Sequence, residues 1–96
     1  MDAKAKALAK KRASLFRVFG NARRVLILWA LGDQEVSVSE LASTIDASLQ
    51  STSQHLRIMK NKGIVASRRE GQTIYYRITD PGLVDQCEIL LQKPES

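Results

Sequence analysis

The sequence predicts a mainly α-helical domain of the α+β class, with the element order α-α-α-α-β-β-α. Two observations predict this order. Apolar residues recur at the spacing of one helix face up to Gly63, and beyond it they alternate as in a strand. A chain of 96 residues is long enough for one small domain but not for two. We therefore expect a single domain over residues 1–96.

The first two helices are predicted from their apolar spacing and from the residues between them. Gly20 ends the first helix, which we place at residues 4–19, and Asn21 is a common N-cap for the next. The second helix, at residues 22–31, is apolar on nearly all sides, which is typical of the central helix of a small bundle. The apolar positions of the first helix are Ala5, Leu8, Ala9, Leu15, Phe16 and Phe19.

Residues 37–62 are predicted to form two helices joined by a short turn. Ser37 and Glu40 have the spacing of a capping box at the start of the third helix. Ser48 is placed to cap the fourth helix, and Gly63 is placed to end it. A connection of about three residues between two helices is that of a helix-turn-helix. The residues of the fourth helix that we expect to be buried are Leu49, Thr52, Leu56 and Met59.

Residues 64–79 are predicted to form a β-hairpin. The runs IVASRR and TIYYRIT are rich in strand-forming residues, and the EGQ between them allows Gly71 a positive φ. Asp80 and Pro81 then begin a last helix over residues 80–93, as its cap and its first helical residue. A hairpin that directly follows a helix-turn-helix is a wing, so we predict a winged helix-turn-helix.

The net charge of +5 is distributed unevenly along the chain. Residues 1–24 hold eight Lys and Arg against one Asp, and residues 57–77 hold six against one Glu. Residues 25–56 hold acidic charges only. Two basic segments separated by an acidic one indicate a polyanion bound on particular surfaces. A charged run is often only a solvated face, so charge by itself leaves both interpretations open.

Composition excludes several classes of protein. The single cysteine, Cys87, excludes an internal disulfide framework and a metal site made of cysteines alone. The longest apolar run, at residues 25–31, is far shorter than the roughly 18 residues of a membrane span. We expect no secretory signal, because no apolar segment follows the basic start. The expected location is the cytoplasm, in association with the nucleoid.

The fourth helix carries an uncharged polar face, although residues 49–56 lie between two basic segments. A solvated helix face usually contains Glu and Lys, and this stretch contains neither. An α-helix fits the major groove of DNA, where Gln, Ser and His side chains match the donors and acceptors of base edges. The sequence therefore predicts that this helix reads double-stranded DNA. The side chains that form the face are Gln50, Ser51, Gln54 and His55.

The tip of the predicted hairpin is also suited to DNA. Arg68 and Arg69 precede the turn, and Gln72 and Thr73 follow it. Arginines on a wing can reach the phosphate backbone or the minor groove. Adjacent strand residues point to opposite faces, so at most one of the two arginines packs inward. Charge that protects an edge strand from pairing is the alternative explanation, and it is compatible with phosphate contact.

Two residues have chemical alternatives. His55, with Ser51 one turn before it, has the elements of a metal ligand or a catalytic base, but no orienting acid accompanies it and we predict no catalytic residue. Cys87 lies in the apolar stripe of the last helix, where a buried packing residue is the usual finding. The alternative for Cys87 is a redox-active thiol. In a chain with one cysteine, its disulfide would have to cross a dimer.

Residues 48–80, SLQSTSQHLRIMKNKGIVASRREGQTIYYRITD, resemble the winged-helix repressors of the ArsR/SmtB family. That family has a Ser-rich recognition helix of the form S-[QHR]-[HQ]-L, then G-[IL]-V, then a basic wing of the pattern R-x-G-[QR]-x-x-Y-Y. The resemblance extends upstream through NARRVLILWALGDQEVSVSELA and covers nearly the whole chain. It implies a homodimer joined through the first and last helices, a two-fold symmetric operator, and repression that a signal releases.

The resemblance also implies which residues contact DNA. Helical spacing alone leaves one of them, Ser53, partly buried. Carried over by position, they are Gln50, Ser53, Gln54 and His55 on the helix, with Arg68, Arg69 and Gln72 on the wing. The N-cap Ser48 and the free backbone N–H groups beside it suit a phosphate. With Arg57, the complete set of predicted DNA contacts is Ser48, Gln50, Ser51, Ser53, Gln54, His55, Arg57, Arg68, Arg69, Gln72 and Thr73.

The metal sites of the resembled family are missing from this sequence. Its arsenic and cadmium sensors have two cysteines in a pattern like E-L-C-V-C-D-L, where this chain has Ser37 and Ser39. Hydroxyls do not replace thiolates for soft metals. The zinc sensors of the family bind the metal with an Asp and several His residues of the last helix. Of these ligands, this chain has only the Asp, at Asp80. The other matching positions are Gly82, Lys93 and Ser96.

The inducing signal is therefore left open. The thiol-sensing branch of the family pairs a cysteine of the second helix with one of the last helix, and Trp29 stands at the first of these positions. This excludes a two-thiol switch within one subunit. We predict no metal and no cofactor, and either a small molecule or a redox change remains open as effector.

Alternatives to a DNA-binding repressor stay open. One is a winged-helix module that binds another protein and has lost DNA binding, and another is a repressor that responds to oxidation through Cys87. A membrane-surface module formed by residues 3–19 is disfavoured by Arg12 within its apolar stripe. An enzyme is not expected, because no nucleophile, base and orienting group come together.

Overall fold

The computed structural model describes residues 1–79, so the predicted last helix and Cys87 lie outside the described residues. The described part begins with helix α1 (Ala3–Phe19) and helix α2 (Ala22–Leu31). Helix α3 (Val38–Thr44) and helix α4 (Leu49–Asn61) follow. All four helices begin and end close to their predicted bounds.

Side-chain caps explain where these helices begin. The Oδ1 atom of Asn21 accepts hydrogen bonds from the backbone N–H groups of Arg23 and Arg24, at 3.0 and 3.3 Å. Ser37 Oγ accepts from the N–H of the third helical residue of α3, at 3.2 Å, and Ser48 Oγ does the same for α4, at 3.0 Å. Each cap satisfies N–H groups that have no partner inside the helix. The predicted N-caps at these three residues are confirmed.

Positive φ angles allow the chain to turn after the helices. Gly63 follows α4 with a φ of 75°, and Gly71 lies in the hairpin turn with a φ of 62°, as predicted for both. Asp46, in the turn between α3 and α4, has a φ of 57°. Aspartate is one of the few residues other than glycine that occupies this conformation without large strain.

Within residues 1–79, the sheet has one more strand than the sequence predicts. Strands β2 (Val65–Glu70) and β3 (Thr73–Ile78) form the expected antiparallel hairpin. Strand β1 (Val36–Ser37) pairs with the other edge of β3, which gives the order β1-β3-β2. A strand of two residues is too short to show the alternation from which strands are predicted. The sheet therefore joins the wing to the residues that lead into α3.

Among residues 1–79, the hydrophobic core is formed by helices α1 to α4 and by the base of the wing. From α4, Thr52, Leu56 and Met59 are buried as predicted, and the Oγ1 of Thr52 donates to the backbone oxygen of Ser48 at 2.8 Å. Complete burial of an apolar side chain such as that of Leu56 stabilises the folded state by about 1.5–3 kcal/mol. The largest fully buried apolar residues are Ile27, Leu28, Leu31, Leu41, Leu56, Met59, Ile64 and Val65.

The prediction that Leu49 is buried is wrong. Leu49 is 55% exposed. It is the first residue of α4 and lies on the side of the helix that faces the hairpin tip, where it lines an open cleft. Helical spacing placed it near the buried row, but the contacts of α4 with the core begin only at Thr52.

Candidate nucleic-acid interface

Helix α4 has an outward row of side chains that the other described residues leave free. The helix turns about 100° per residue, so the positions opposite the buried row are Gln50, Gln54 and Arg57. All three are exposed. None of them has a hydrogen bond or an ion pair with another residue in the described part of the chain. We call these three residues the outward row.

The side of α4 that faces α2 is held by two arginines. Arg23 Nη1 donates to Ser51 Oγ at 3.1 Å, and Arg24 Nε donates to His55 Nδ1 at 3.1 Å. Arg24 Nη1 also donates to the backbone oxygen of Val18, near the end of α1, at 3.2 Å. Ser51 and His55 are therefore half-buried side chains with fixed partners, unlike the outward row.

Sequence reasoning missed both arginines. A signal for them is present in the sequence, because they occupy the first turn of α2 and that turn contains no acidic residue. Positive charge at a helix N-terminus opposes the helix dipole and costs a few tenths of a kcal/mol to about 1 kcal/mol. Two adjacent arginines at this position thus point to contacts outside their own helix.

The surroundings of His55 favour the neutral form of its imidazole. Partial burial is the largest cause that lowers the pKa of His55 below its usual value, and the positive charges of Arg24 and Arg23 lower it further. A neutral ring leaves Nδ1 free to accept the hydrogen bond from Arg24, as the geometry shows.

The side of α4 that faces the wing borders an open cleft. Ser53 lies on this side, half-buried, between Leu49 and the hairpin tip. The cleft has a volume of about 200 Å³. Its lining is formed by Val38, Ser39, Leu49, Ser53, Gln72, Thr73 and Ile74. The structure therefore brings Ser53, Gln72 and Thr73 together, as three polar side chains that lie beside the outward row.

The two arginines of the wing have different environments. Arg68 donates to Glu35 at 2.7 Å and to Glu70 at 2.9 Å, and its guanidinium lies 4.6 Å from the centre of the Tyr75 ring. The hydrogen bond to Glu70 is the largest cause that raises the pKa of Arg68, and the hydrogen bond to Glu35 is the next largest. Arg69 is exposed and has no partner among residues 1–79.

The two arginines also lie on opposite faces of the sheet. Ser67 is on the face toward α4, because Lys60 Nζ of that helix donates to Ser67 Oγ at 2.8 Å. Residues two apart in a strand share a face, so Arg69 lies on the α4 side and Arg68 on the other. The wing arginine that has no partner in the described part of the chain is thus the one beside α4.

The remaining predicted site residues have simple placements. Ser48 is exposed and uses its hydroxyl as the N-cap of α4, and Thr73 is exposed at the start of β3. Cys87 lies outside the described residues.

Among residues 1–79, no group of three or more His, Cys, Asp and Glu residues is arranged to hold a metal ion. In the same range, no helix has the length and hydropathy needed to cross a membrane.

Comparisons with known proteins match this chain to bacterial transcriptional regulators and to a winged helix-turn-helix DNA-binding domain. Residues 21–67, from the cap of α2 into β2, match the family model described as "Bacterial regulatory protein, arsR family". The HTH-type transcriptional regulator KmtR of Mycobacterium tuberculosis is 44% identical over 64 residues, which cover 67% of this chain and 49% of KmtR. This chain thus spans about half the length of that relative.

Two further proteins are similar over most of their length. The transcriptional activator HlyU of Vibrio cholerae is 36% identical over 80 residues, which cover 83% of this chain and 74% of HlyU. The solution structure of a homodimeric winged helix-turn-helix DNA-binding domain, Mb0332 of Mycobacterium bovis, has a TM-score of 0.81 at 29% identity. That match covers 94% of this chain and 83% of the other. The predicted winged helix-turn-helix is confirmed.

Proposed function

This chain belongs to the arsR family of bacterial regulatory proteins, and we propose that it regulates transcription by binding a two-fold symmetric operator as a homodimer. The observation that carries the proposal is the outward row of α4. Its three side chains are exposed, have no partner among residues 1–79, and lie on a helix that is uncharged over its first two turns.

Base-specific contacts follow from the chemistry of this row. The carboxamides of Gln50 and Gln54 suit adenine, whose N6 and N7 atoms form a donor and acceptor pair in the major groove. Arg57 suits either guanine or a phosphate at the far end of the row. Acidic groups are absent from α4, so nothing on this helix repels the phosphates that border the groove.

Contacts with the phosphate backbone come from the wing and from the start of α4. We assign Arg69, Gln72 and Thr73 to the wing contact, because Arg69 has no partner among residues 1–79 and the other two lie at the cleft beside Ser53. Ser48 and the N-terminal N–H groups of α4 form the second contact. Arg68 stays a weaker candidate, because two carboxylates already neutralise its charge.

The dimer is supported by apolar surface that residues 1–79 do not cover. Phe16 and Leu8 of α1 are 54% and 47% exposed, and Leu26 of α2 is 38% exposed. A small domain gains considerable stability by burying such residues against another copy. The solution structure of Mb0332 is homodimeric. We propose that α1 contributes to the dimer interface, together with the predicted helix at residues 80–93.

We further propose that the protein is a cytoplasmic, nucleoid-associated repressor with no catalytic role. Repression follows when an operator overlaps a promoter, since the bound dimer then blocks access to it. HlyU is named as an activator, so the opposite sign is the second candidate. Expression of a reporter gene fused to the operator, measured with and without the protein, distinguishes repression from activation. The effector, whether a small molecule or oxidation of Cys87, stays a prediction.

Selection of bound duplexes from a random pool tests the proposal. The expected result is an inverted repeat whose half-site centres are about 34–36 Å apart, one turn of the duplex. A pool selected with the Gln54→Ala variant serves as the matched control and is expected to lose the preference at one position in each half-site. Failure to retard any duplex at low salt contradicts the proposal and favours a winged-helix module that binds protein.

A further inference from the structure

The hydrogen bond between Arg24 and His55 fixes which ring nitrogen of the histidine carries the proton. A guanidinium has donors and no acceptor, and it remains charged at any pH at which the protein is folded. Arg24 Nε lies 3.1 Å from His55 Nδ1, so Nδ1 must be the unprotonated nitrogen. In the neutral ring the proton then sits on Nε2, which is a donor.

Arg24 is itself held at several points, so it does not simply follow the ring. Its Nη1 atom donates to the backbone oxygen of Val18 at 3.2 Å. Its backbone N–H donates to the side chain of the cap residue Asn21 at 3.3 Å. Arg24, which lies in the first turn of α2, thus connects the end of α1 to the middle of α4 through its guanidinium.

The opposite nitrogen of the ring is available to a ligand. His55 Nε2 has no hydrogen-bond partner among residues 1–79. No buried side-chain nitrogen or oxygen of the described residues lacks a partner, so Nε2 is not a buried orphan and solvent reaches it. Ser51, one turn earlier, has a matching arrangement: its oxygen accepts from Arg23, which leaves the hydroxyl hydrogen free to donate.

We propose that Arg24 is a positioning residue that commits His55 to donate from Nε2, and therefore to contact a hydrogen-bond acceptor on the DNA. The acceptors of the major groove are guanine O6 and N7, adenine N7 and thymine O4. The amino groups of adenine and cytosine are excluded as partners, because they are donors too. This inference rests on the proposed function and on the sequence prediction that His55 contacts DNA, and it adds the chemical class of atom that His55 would contact.

The first test needs no DNA. His55 is the only histidine in the chain, so long-range ¹H–¹⁵N correlation spectra of the untagged protein report one imidazole. We expect a single Nε2–H form at neutral pH. In Arg24→Met, we expect a mixture of the two neutral tautomers and a higher pKa for the ring, because both the donor and its charge are gone.

Arg23→Met is the matched control, since it removes an adjacent charge and leaves the Nε donor of Arg24 in place. It is expected to keep the single Nε2–H form. An Nδ1–H ring in the unmodified protein overturns the inference, and so does an Arg24→Met ring whose tautomers and pKa are unchanged. Circular dichroism of each variant separates a change in the ring from loss of the fold.

The second test uses the selected operator at the base pair where His55→Ala loses discrimination. Removal of an acceptor there, with 7-deazaguanine for N7 or 2-aminopurine for O6, is expected to weaken binding by the unmodified protein about tenfold. In the Arg24→Met variant, removal of the same acceptor is expected to lower the affinity for the operator much less than it does in the unmodified protein. A loss caused instead by purine in place of adenine, which removes a donor, overturns the inference. If no duplex binds at all, the proposed function fails, and the imidazole spectra still decide the role of Arg24.

Discussion

Lys60, in the last turn of α4, donates a hydrogen bond from Nζ to the Oγ of Ser67 in strand β2, at 2.8 Å. This contact joins the helix that we assign to the major groove directly to the wing. The base of the wing is also packed into the core through Ile64 and Val65, which are fully buried. The position of Arg69 relative to α4 is therefore set by the fold before any DNA is bound.

The two wing arginines are expected to differ in their effect on salt dependence. With about 6–10 phosphates neutralised per dimer, the slope of log K against log salt is expected to be roughly −5 to −9. Arg69→Ala should weaken binding to all sequences alike, because we assign Arg69 to the phosphate backbone, which is the same in every sequence. It should also reduce the slope by about 1 for each phosphate that the variant no longer neutralises. Filter binding over a salt series measures both quantities.

Arg68→Ala is the control for this experiment. Its guanidinium is paired with Glu35 and Glu70, so its removal should change the slope much less. A larger change for Arg68→Ala than for Arg69→Ala, or a loss for Arg69→Ala that is confined to some sequences, contradicts the assignment of Arg69 to the backbone.

Gln54→Ala is expected to lower discrimination at one base pair of each half-site by about 1–3 kcal/mol, because alanine cannot form a bidentate hydrogen bond with a base edge. Competition with duplexes that differ by one base pair measures this effect. Preferences at the other positions should remain. An equal loss for every competitor would mean that Gln54 contacts the backbone and not a base.

The two leucines of α4 provide a test of the packing. Leu56 is fully buried, so Leu56→Ala should lower the free energy of unfolding by about 2–5 kcal/mol through reduced burial and a cavity. Leu49 is 55% exposed, and Leu49→Ala should cost about 0.5 kcal/mol or less. Urea denaturation measures both variants. Similar large losses for the two would show that Leu49 is covered in the folded protein.

Stability is expected to depend on pH through His55. The fold lowers the pKa of His55 below its usual 6.5, so the unfolded chain binds the proton more readily than the folded one. The free energy of unfolding should therefore be highest above pH 6.5, and should fall as the pH drops from about 6.5 to the lower pKa of the folded state.

The His55→Asn variant shows whether this dependence belongs to His55. Denaturation at pH 7.5 and pH 5.5 should give the unmodified protein a larger loss than the variant. A stability that rises on acidification would require a raised pKa, and would contradict the contact with Arg24.

Features set by neighbouring residues were predictable from the sequence, and features set by distant contacts were not. The caps Asn21, Ser37 and Ser48 act within three residues of themselves, so each can be recognised in the chain. Strand β1 exists only because β3 lies beside it, and two residues carry no periodicity of their own.

The candidate site also has features that neighbouring residues set and features that distant contacts set. The absence of charge at the start of α4 is visible in the sequence, and it predicted the outward residues Gln50 and Gln54. The partner of His55 is 31 residues away in the chain, and the pairing of Arg68 with Glu35 spans 33 residues. Which of two adjacent arginines forms ion pairs, and which nitrogen of a histidine faces solvent, depends on such contacts.

The most direct test of the central claim places a cysteine on the outward row. In a Gln54→Cys protein that also carries Cys87→Ser, the new thiol can attack a mixed disulfide tethered to one base of the selected operator. Thiol–disulfide exchange then links protein and DNA and releases the capping thiol. A tether on cytosine N4 lies in the major groove, and a tether on guanine N2 lies in the minor groove. We predict cross-linking at one position in each half-site through the cytosine N4 tether only. Cross-linking through the guanine N2 tether, or none in a duplex that remains bound, would contradict the account.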